Sequence, residues 1–193
     1  VHPDANGSLV MAYSFLKALG YSGDIAKITV DLNFNKAEAT PGQEVVSCKD
    51  GTVSLKSTRY PFCFSGSKGD KQSGNTAGVI DFVLFNQDLN RYILSVKGLK
   101  TAKAKVTWGS ESHEFTADEL EKGVNLAAEF ISNPFRDQFF RGHQAVQMQQ
   151  AEEEALMQRS MHDAKSYKAV APAASDAVDQ WIAAGMTLHE ALF

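Results

Sequence analysis

The sequence lacks features that would assign it to several common protein classes. Its 193 residues include two cysteines and five prolines, and the formal net charge is −4. There is no Cys-x-x-Cys pair, so neither a zinc knuckle nor a thioredoxin-type redox site is supported. The slight negative charge and the absence of a basic stripe argue against a nucleic-acid surface. No apolar run approaches the roughly 18 residues of a membrane span. The remaining composition, 44% hydrophobic and 22% charged, is that of an ordinary globular protein.

Neither a metal nor a cofactor is predicted. His113, His143, His162 and His189 do not have the spacing of metal ligands, and Glu152-Glu153-Glu154 is most simply the solvated face of a helix. The segment 65–78 is rich in Gly, Ser and Lys, but it lacks a Gly-Lys-Ser/Thr sequence and a following helix. We therefore interpret it as a long mobile loop and not as a phosphate cradle.

The two cysteines allow one disulfide. Cys48 and Cys63 both fall in segments that we predict to be strands. They could pair in an oxidising compartment if those strands are neighbours. The alternative is two small buried thiols.

The first twenty residues predict a helix preceded by a reactive side chain. Asp4 can cap the first turn, Leu9, Tyr13 and Leu16 recur at helical spacing, and Gly20 is a plausible stop. His2-Pro3 lies just before this helix, on a loop that would expose the imidazole ring. A histidine so placed is a candidate general base, although most loop histidines are only solvated.

The middle of the chain predicts many short strands. Ile28, Val30 and Leu32 alternate with polar residues, and Asp50-Gly51 is a strong hairpin signal. The apolar run 79–85 is interpreted as a further strand. Short strands at close spacing predict an antiparallel, sandwich-like arrangement.

The last part of the chain is predicted to be helical. Residues 116–119 form a capping-box sequence, and a long helix should run from about Arg136 to Ser166. A short helix should end at Gly185, and another should begin at Thr187. The predicted fold class is therefore α+β, with a terminal helix in residues 1–22, a β-rich segment in 23–116 and a helical region in 117–193.

Two groups of residues resemble motifs of the SGNH (GDSL-like) hydrolases. The last block of that family reads Asp-x-x-His-Pro followed by Gly and a helix, and His2-Pro3, Gly7 and the run 9–12 match it. The Asp of the motif would lie two residues before Val1. One bacterial branch also carries a β-rich appendage with its own signature. The matching phrases here are Leu89-Asn90-Arg91-Tyr92, Val96-Lys97-Gly98-Leu99, Phe115, Leu120 and Gly123-Val124-Asn125-Leu126-Ala127.

The resemblance covers roughly residues 1–135 and implies a function. It implies that residues 1–22 are the last helix of an α/β SGNH domain and that His2 is the base of a Ser-His-Asp triad. The helix face of Leu9, Tyr13 and Leu16 should then be left uncovered, because the sheet on which it would pack is not in this chain. The serine, the aspartate and the oxyanion donors would lie upstream, so this portion alone should be inactive. The expected activity is hydrolysis of acyl or acetyl esters, possibly on carbohydrate, without a cofactor. The family resemblance suggests a secreted or periplasmic bacterial protein.

Three other residues have both a functional and a structural interpretation. Asn125 could be an oxyanion donor, but its place beside a helix start favours bonding to local backbone. Arg91 could line a ligand groove or tie a strand to a loop. Trp108 could stack on a sugar or pack in the core. The rival to a hydrolase is accordingly a non-catalytic β-rich interaction or carbohydrate-binding module.

Overall fold

The computed structural model describes residues 3–69 and 71–192, which contain both helices and strands. The α+β class predicted from the sequence is confirmed. The chain divides into two compact units, Val1–Phe139 and Phe140–Phe193. The predicted boundary at residue 116 therefore falls inside the first unit, because the segment that follows it packs on the sheet.

The described residues of the first unit contain eight strands, four complete helices and the start of a fifth. The strands are β1 (Asp24–Asp31), β2 (Lys36–Ala39), β3 (Gln43–Lys49), β4 (Thr52–Ser57), β5 (Arg91–Lys97), β6 (Lys103–Trp108), β7 (Glu111–Thr116) and β8 (Val124–Asn125). The helices are α1 (Ala5–Ala18), α2 (Phe85–Asp88), α3 (Ala117–Lys122) and α4 (Leu126–Glu129), with 3-10 turns at Thr76–Gly78 and Ile80–Phe82.

The main sheet has the strand order β2-β1-β5-β8. Its β1-β2 and β5-β8 pairs are antiparallel, but β1 and β5 run parallel, with Ile28 opposite Leu94 and Val30 opposite Val96. The prediction of an antiparallel, sandwich-like segment was therefore wrong for the central pair. A long crossover separates β1 from β5, and periodicity within a strand carries no information about its partner's direction. The β3-β4 and β6-β7 pairs form separate antiparallel hairpins.

The larger hydrophobic core lies against one face of the main sheet. Its buried members come from β1, β5, β7, β8, α3 and α4, and they include Ile28, Val30, Leu120 and Phe130. The capping box at the start of α3 is present as predicted, with Thr116 and Glu119 bonding each other's backbone amides. This cap fixes the turn between β7 and α3 and so delivers Leu120 to the core.

A second, smaller core includes the segment 79–85, which is not the strand that we predicted. Ile80 and Phe85 are buried in this core, whereas Phe82 and Leu84 are exposed. The segment forms a 3-10 turn and the start of α2. Strand β5, which follows, already has β1 on one side and β8 on the other. The apolar run is therefore used to close a core and not to extend the sheet.

The second unit is helical. It contains most of α5 (Arg136–Met157), a π-helical turn at Gln158–Asp163, α6 (Ala164–Val170), a 3-10 turn at Pro172–Ala174 and α7 (Ser175–Leu192). The predicted break at Gly185 does not occur. A side chain at Gly185 would collide with the Arg159 guanidinium, which lies 5.0 Å from the centre of the Trp181 ring. The glycine thus makes room for Arg159 and does not end the helix.

Within residues 3–69 and 71–192, no helix combines the length and hydropathy needed to span a membrane.

Candidate functional site

The candidate catalytic residue, His2, lies outside the described residues. The structure describes the chain that follows it, beginning at Pro3. The Asp4 carboxylate accepts a hydrogen bond from the Ser73 hydroxyl at 2.5 Å and makes no side-chain cap to α1. The prediction that Asp4 caps the helix was therefore wrong. The Asp4 main-chain oxygen accepts the first helical bond, from Ser8 N.

Loop 65–76 holds the start of α1. The backbone N of Asn6 donates to the Ser73 carbonyl at 3.0 Å, and the side-chain Nδ2 of Asn6 donates to the Gln72 carbonyl at 3.4 Å. The base of the loop is closed by reciprocal bonds: Ser65 N donates to Thr76 Oγ1 at 2.9 Å, and Thr76 N donates to Ser65 Oγ at 3.1 Å. The segment that we interpreted only as a long mobile loop is thus tied at its base and bonded to α1. A polar, low-complexity composition does not indicate which backbone groups will find each other.

A cleft of about 500 Å³ opens beside this loop. Its walls include Asn6, Lys71, Asp81 and Phe82. The Phe82 side chain is 85% exposed. The cleft therefore combines an apolar ring with polar groups, and it reaches the first turn of α1 at Asn6.

Asp88 fastens the middle and end of α1 to α2. Its carboxylate accepts hydrogen bonds from Lys17 Nζ at 2.6 Å and from Tyr13 OH at 2.7 Å. These bonds, first from Lys17 and then from Tyr13, hold the pKa of Asp88 below its ordinary value. The same contacts raise the pKa values of Lys17 and Tyr13. Nothing in the sequence pattern marked this three-residue cluster.

Helix α1 is apolar on two sides. Leu9, Tyr13 and Leu16 are half-buried against the smaller core. On the opposite side Met11, Phe15 and Leu19 are 47%, 68% and 83% exposed. We expected the face that contains Leu9, Tyr13 and Leu16 to be left uncovered. That face is instead packed within the chain, and the uncovered one is the face of Met11, Phe15 and Leu19.

Arg91 has a structural position. Its Nε donates to Asp24 Oδ1 at 2.8 Å, and its Nη1 donates to the carbonyls of Gln87 and Asp88 at 2.8 and 2.7 Å. Nη2 donates to the Ser22 carbonyl. The guanidinium therefore ties the end of α2 to the start of β1. Four of its N–H groups serve this purpose, so it is a poor candidate for ligand binding.

Asn125 also has a structural position. Its Oδ1 accepts from Tyr92 N at 3.0 Å, and its Nδ2 donates to the carbonyls of Asn86 and Asn90 at 3.0 and 3.1 Å. The amide therefore bonds backbone, as a structural role requires, but the backbone belongs to residues 33 to 39 positions earlier and not to the nearby helix start that we expected. An oxyanion role would require Nδ2 to point elsewhere.

Trp108 belongs to an aromatic cluster. Its ring centre lies 5.2 Å from Tyr92, 5.8 Å from Phe135 and 5.9 Å from Phe130. These distances are typical of packed aromatic pairs. The ring is half-buried, so it does not offer the open flat face that a sugar would need.

The cysteines are both free thiols. Cys63 is buried beside Asn133, and burial raises the pKa of its thiol. Cys48 is half-buried on β3, where it lies opposite Val53. The pairing that the sequence left open is not made in this structure.

Among the described residues, no group of three or more His, Cys, Asp and Glu side chains could hold a metal ion. The Nε2 of His113 lies 2.8 Å from Glu111 Oε1. The other Glu111 oxygen accepts from Ser132 N at 2.8 Å. This pair ties the β6-β7 hairpin to the segment that follows α4.

Comparison with known proteins relates this fold to a solved enzyme. No protein-family model and no curated protein matches the chain. The chain is similar to the solved structure of a gut microbial diltiazem-metabolizing enzyme, with a TM-score of 0.66 and 25% sequence identity. The match covers 100% of this chain and 48% of the other. The chain thus spans about half the length of that enzyme.

Proposed function

We propose that this chain is the C-terminal portion of a serine-dependent ester hydrolase of the SGNH type, with His2 as the general base. The observation that carries the proposal is the structural similarity, over the whole chain, to part of a larger enzyme. The His2-Pro3 sequence that precedes α1 supports the type of reaction, since it matches the last block of the SGNH hydrolases.

The proposed reaction is acyl transfer through a serine. His2 takes the proton from the serine hydroxyl as that oxygen attacks the ester carbonyl, and the C–O bond to the alcohol then breaks as His2 returns the proton to the leaving oxygen. Water repeats the sequence and releases the acid. The serine, the triad carboxylate and the oxyanion donors belong to the part of the protein that precedes His2. Asp4 is engaged by Ser73 and is not the triad carboxylate.

The anchoring of α1 supports this role for the segment. A catalytic base must be held within a fraction of an ångström of its working position. The bonds from Ser73 to Asp4 and from Asn6 to Ser73 restrain the residues that follow His2. Tyr13 and Lys17 restrain the helix further along through Asp88.

The exposed face of α1 supports the larger architecture. Phe15 and Leu19 are large apolar side chains that this chain leaves in solvent. Together with Met11 they form a contiguous strip, and such strips usually mark a surface that another layer covers. In the proposed hydrolase that layer is the α/β domain to which α1 belongs.

The substrate class follows from the resemblance and from the neighbour. SGNH hydrolases imply small acyl esters, including acetyl groups on carbohydrate. Diltiazem, which that enzyme metabolizes, carries an acetyl ester. An acetyl ester of a bulky alcohol is therefore the substrate with which to begin.

The test uses the longer protein that the proposal requires, which carries the residues encoded before Val1. That protein should hydrolyse p-nitrophenyl acetate and release acetate from diltiazem, whereas the 193-residue chain should not exceed background. His2→Ala in the longer protein should lower kcat/KM by roughly 10³-fold or more. His143→Ala, which alters an exposed histidine on α5, is the matched control and should leave kcat/KM unchanged. Equal activity in His2→Ala and wild type would overturn the proposal.

The second candidate is a non-catalytic β-rich interaction or carbohydrate-binding module. The hairpins β3-β4 and β6-β7 favour it, because they form sheets separate from the main one and every second side chain on β4 and β6 is exposed. This candidate is favoured if the longer protein has no esterase activity and the 193-residue chain binds a glycan saturably.

A further inference from the structure

A mostly apolar cavity of about 320 Å³ lies inside the first unit, and none of the residues that line it belongs to α1. It opens between the face of the main sheet and the two hairpins. Its volume is at the lower end of the range of small-molecule pockets, roughly 300–1,000 Å³. The inference that follows does not depend on the proposed hydrolase.

One wall of the cavity is a ladder of paired side chains on β1 and β5. Ile28 lies opposite Leu94, and Val30 lies opposite Val96, as the strand register requires. Leu32 and Leu99 continue the wall beyond the ends of the strands. From Ile28 to Leu32 the wall extends for about 13 Å, since a strand rises about 3.3 Å per residue. The cavity is thus long in one direction.

The opposite wall comes from the hairpins. Val53 and Leu55 project from β4, and Ala104 and Val106 project from β6, with Trp108 at the end of that strand. On each hairpin these residues alternate with exposed ones, so their side chains share the inward face. The lining is mostly branched aliphatic, with a single indole.

The lining is less buried than a core of this composition would be. Five of the lining residues are only half-buried, although they pack against the larger hydrophobic core: Leu32, Val53, Leu94, Val96 and Val106. The hairpins do not close on the sheet, and the space between them is what leaves these side chains partly accessible. Filling that space with methylene groups would remove apolar surface from water on both sides.

We propose that this cavity binds a single aliphatic chain of medium length, such as the hydrocarbon part of an alcohol or an acyl group. The length along β1 fits an extended chain. The lining also includes Lys105 and Thr107, which lie at exposed positions of β6 and alternate with the inward ones, so the inward walls are aliphatic apart from Trp108. The inward positions on β4 and β6 carry no charge, so the polar end of the ligand stays in solvent at the mouth.

Trp108 allows the site to be tested directly in the 193-residue chain. The chain has two tryptophans, and Trp181→Phe leaves Trp108 as the single reporter. Titration with 1-hexanol, 1-octanol and 1-decanol should give a saturable change in Trp108 emission at one site per chain. Affinity should rise about three- to fourfold for each added methylene until the cavity is filled, after which it should level off.

Three variants separate binding in this cavity from unspecific binding. Ala104→Phe places a ring in the cavity and should reduce the affinity for decanol at least tenfold. Ala12→Phe, the same change at an exposed position of α1, should leave the affinity unchanged. Leu99→Ala lengthens the cavity and should move the plateau to a longer alcohol, which tests the site even if Ala104→Phe does not fold.

Alkanoates distinguish acid from alcohol ligands. They should bind within about threefold of alkanols with the same number of carbons, because the head group remains in water at the mouth. The proposal is overturned if no alkanol binds saturably, if affinity does not depend on chain length, or if Ala104→Phe binds as well as the parent. It is also overturned if naphthalene binds more tightly than decanol, since the site would then fit a flat ring.

Discussion

Asn90 is the polar residue on which the packing between the two cores depends. It is fully buried, its Oδ1 accepts from Phe62 N at 2.8 Å, and its Nδ2 donates to the Phe62 carbonyl at 3.1 Å and to Asn86 Oδ1 at 2.8 Å. The segment around Phe62 is extended but forms no strand, so it has no sheet partner for these backbone groups. The Asn90 amide takes the place of a neighbouring strand.

Replacing this amide should be costly. Asn90→Ala leaves Phe62 N, the Phe62 carbonyl and Asn86 Oδ1 without their partner in a buried place. We expect it to lower the free energy of unfolding by about 2–4 kcal/mol. Asn33→Ala, at an exposed position, should change that free energy by less than about 0.5 kcal/mol. Urea unfolding followed by circular dichroism measures both, and similar values for the two variants would contradict the assigned role.

Asp88 should make the attachment of α1 sensitive to pH. Its pKa is lowered by the bonds from Lys17 and Tyr13, so the folded state favours the carboxylate. A lowered pKa contributes stability above the ordinary value of 3.8 and loses it as the pH falls through the folded value. Wild type should therefore be more stable than Asp88→Asn at pH 5–7, and the difference should begin to shrink as the pH falls below 3.8.

Unfolding in urea at a series of pH values tests the Asp88 prediction. Asp81→Asn, at an exposed carboxylate on the neighbouring 3-10 turn, serves as the control and should show no such convergence. A difference between wild type and Asp88→Asn that stays constant down to pH 3 would show that the carboxylate charge is not what anchors α1.

Among the elements, α1 shows how far sequence reasoning could go. Its extent was predicted from helical spacing and from the glycine at residue 20, and the structure has the helix over Ala5–Ala18. The choice of buried face could not be made, because leucine, methionine and aromatic residues occur on both sides. The smaller core takes the side of Leu9, Tyr13 and Leu16, since α2 and the 3-10 turns lie there.

The two faces of α1 should respond differently to charge. Leu16→Lys puts a charge against the smaller core and should destabilise the 193-residue chain by about 1–3 kcal/mol. Phe15→Lys, one position away, changes a side chain that is 68% exposed and should alter stability by less than about 0.5 kcal/mol. Equal destabilisation by the two variants, measured by urea unfolding, would mean that the Met11, Phe15 and Leu19 face is already covered.

The predictions for the segment 79–85 and for helix α7 were wrong for a related reason. Both predictions used local signals: an apolar run for a strand, and a glycine for a helix end. In the first case β5 already has partners on both sides, and in the second the glycine accommodates Arg159 from another helix. Contacts between distant parts of the chain overrode the local preference in both cases.

For the whole molecule, the sequence predicted the α+β class and the order of strand-rich and helix-rich segments. It could not supply the parallel pairing of β1 with β5, which joins residues more than sixty positions apart. The structural interpretations of Arg91 and Trp108 agree with their contacts, because guanidinium groups and large rings find partners when they pack against the protein. Asn125 also bonds backbone, but 33 to 39 residues away and not locally as predicted. The role of His2 remains a prediction, supported by the anchoring of the segment that follows it.

The most direct test of the account is the pH dependence of serine labelling in the longer protein. An organophosphonate should label the nucleophilic serine at a rate that rises with pH, because only the unprotonated histidine can take the proton from the serine hydroxyl. In His2→Ala the rate should be low and flat across the same range, and in His143→Ala it should match wild type. Labelling that follows the same pH curve with and without His2 would contradict the claim that this chain supplies the catalytic base.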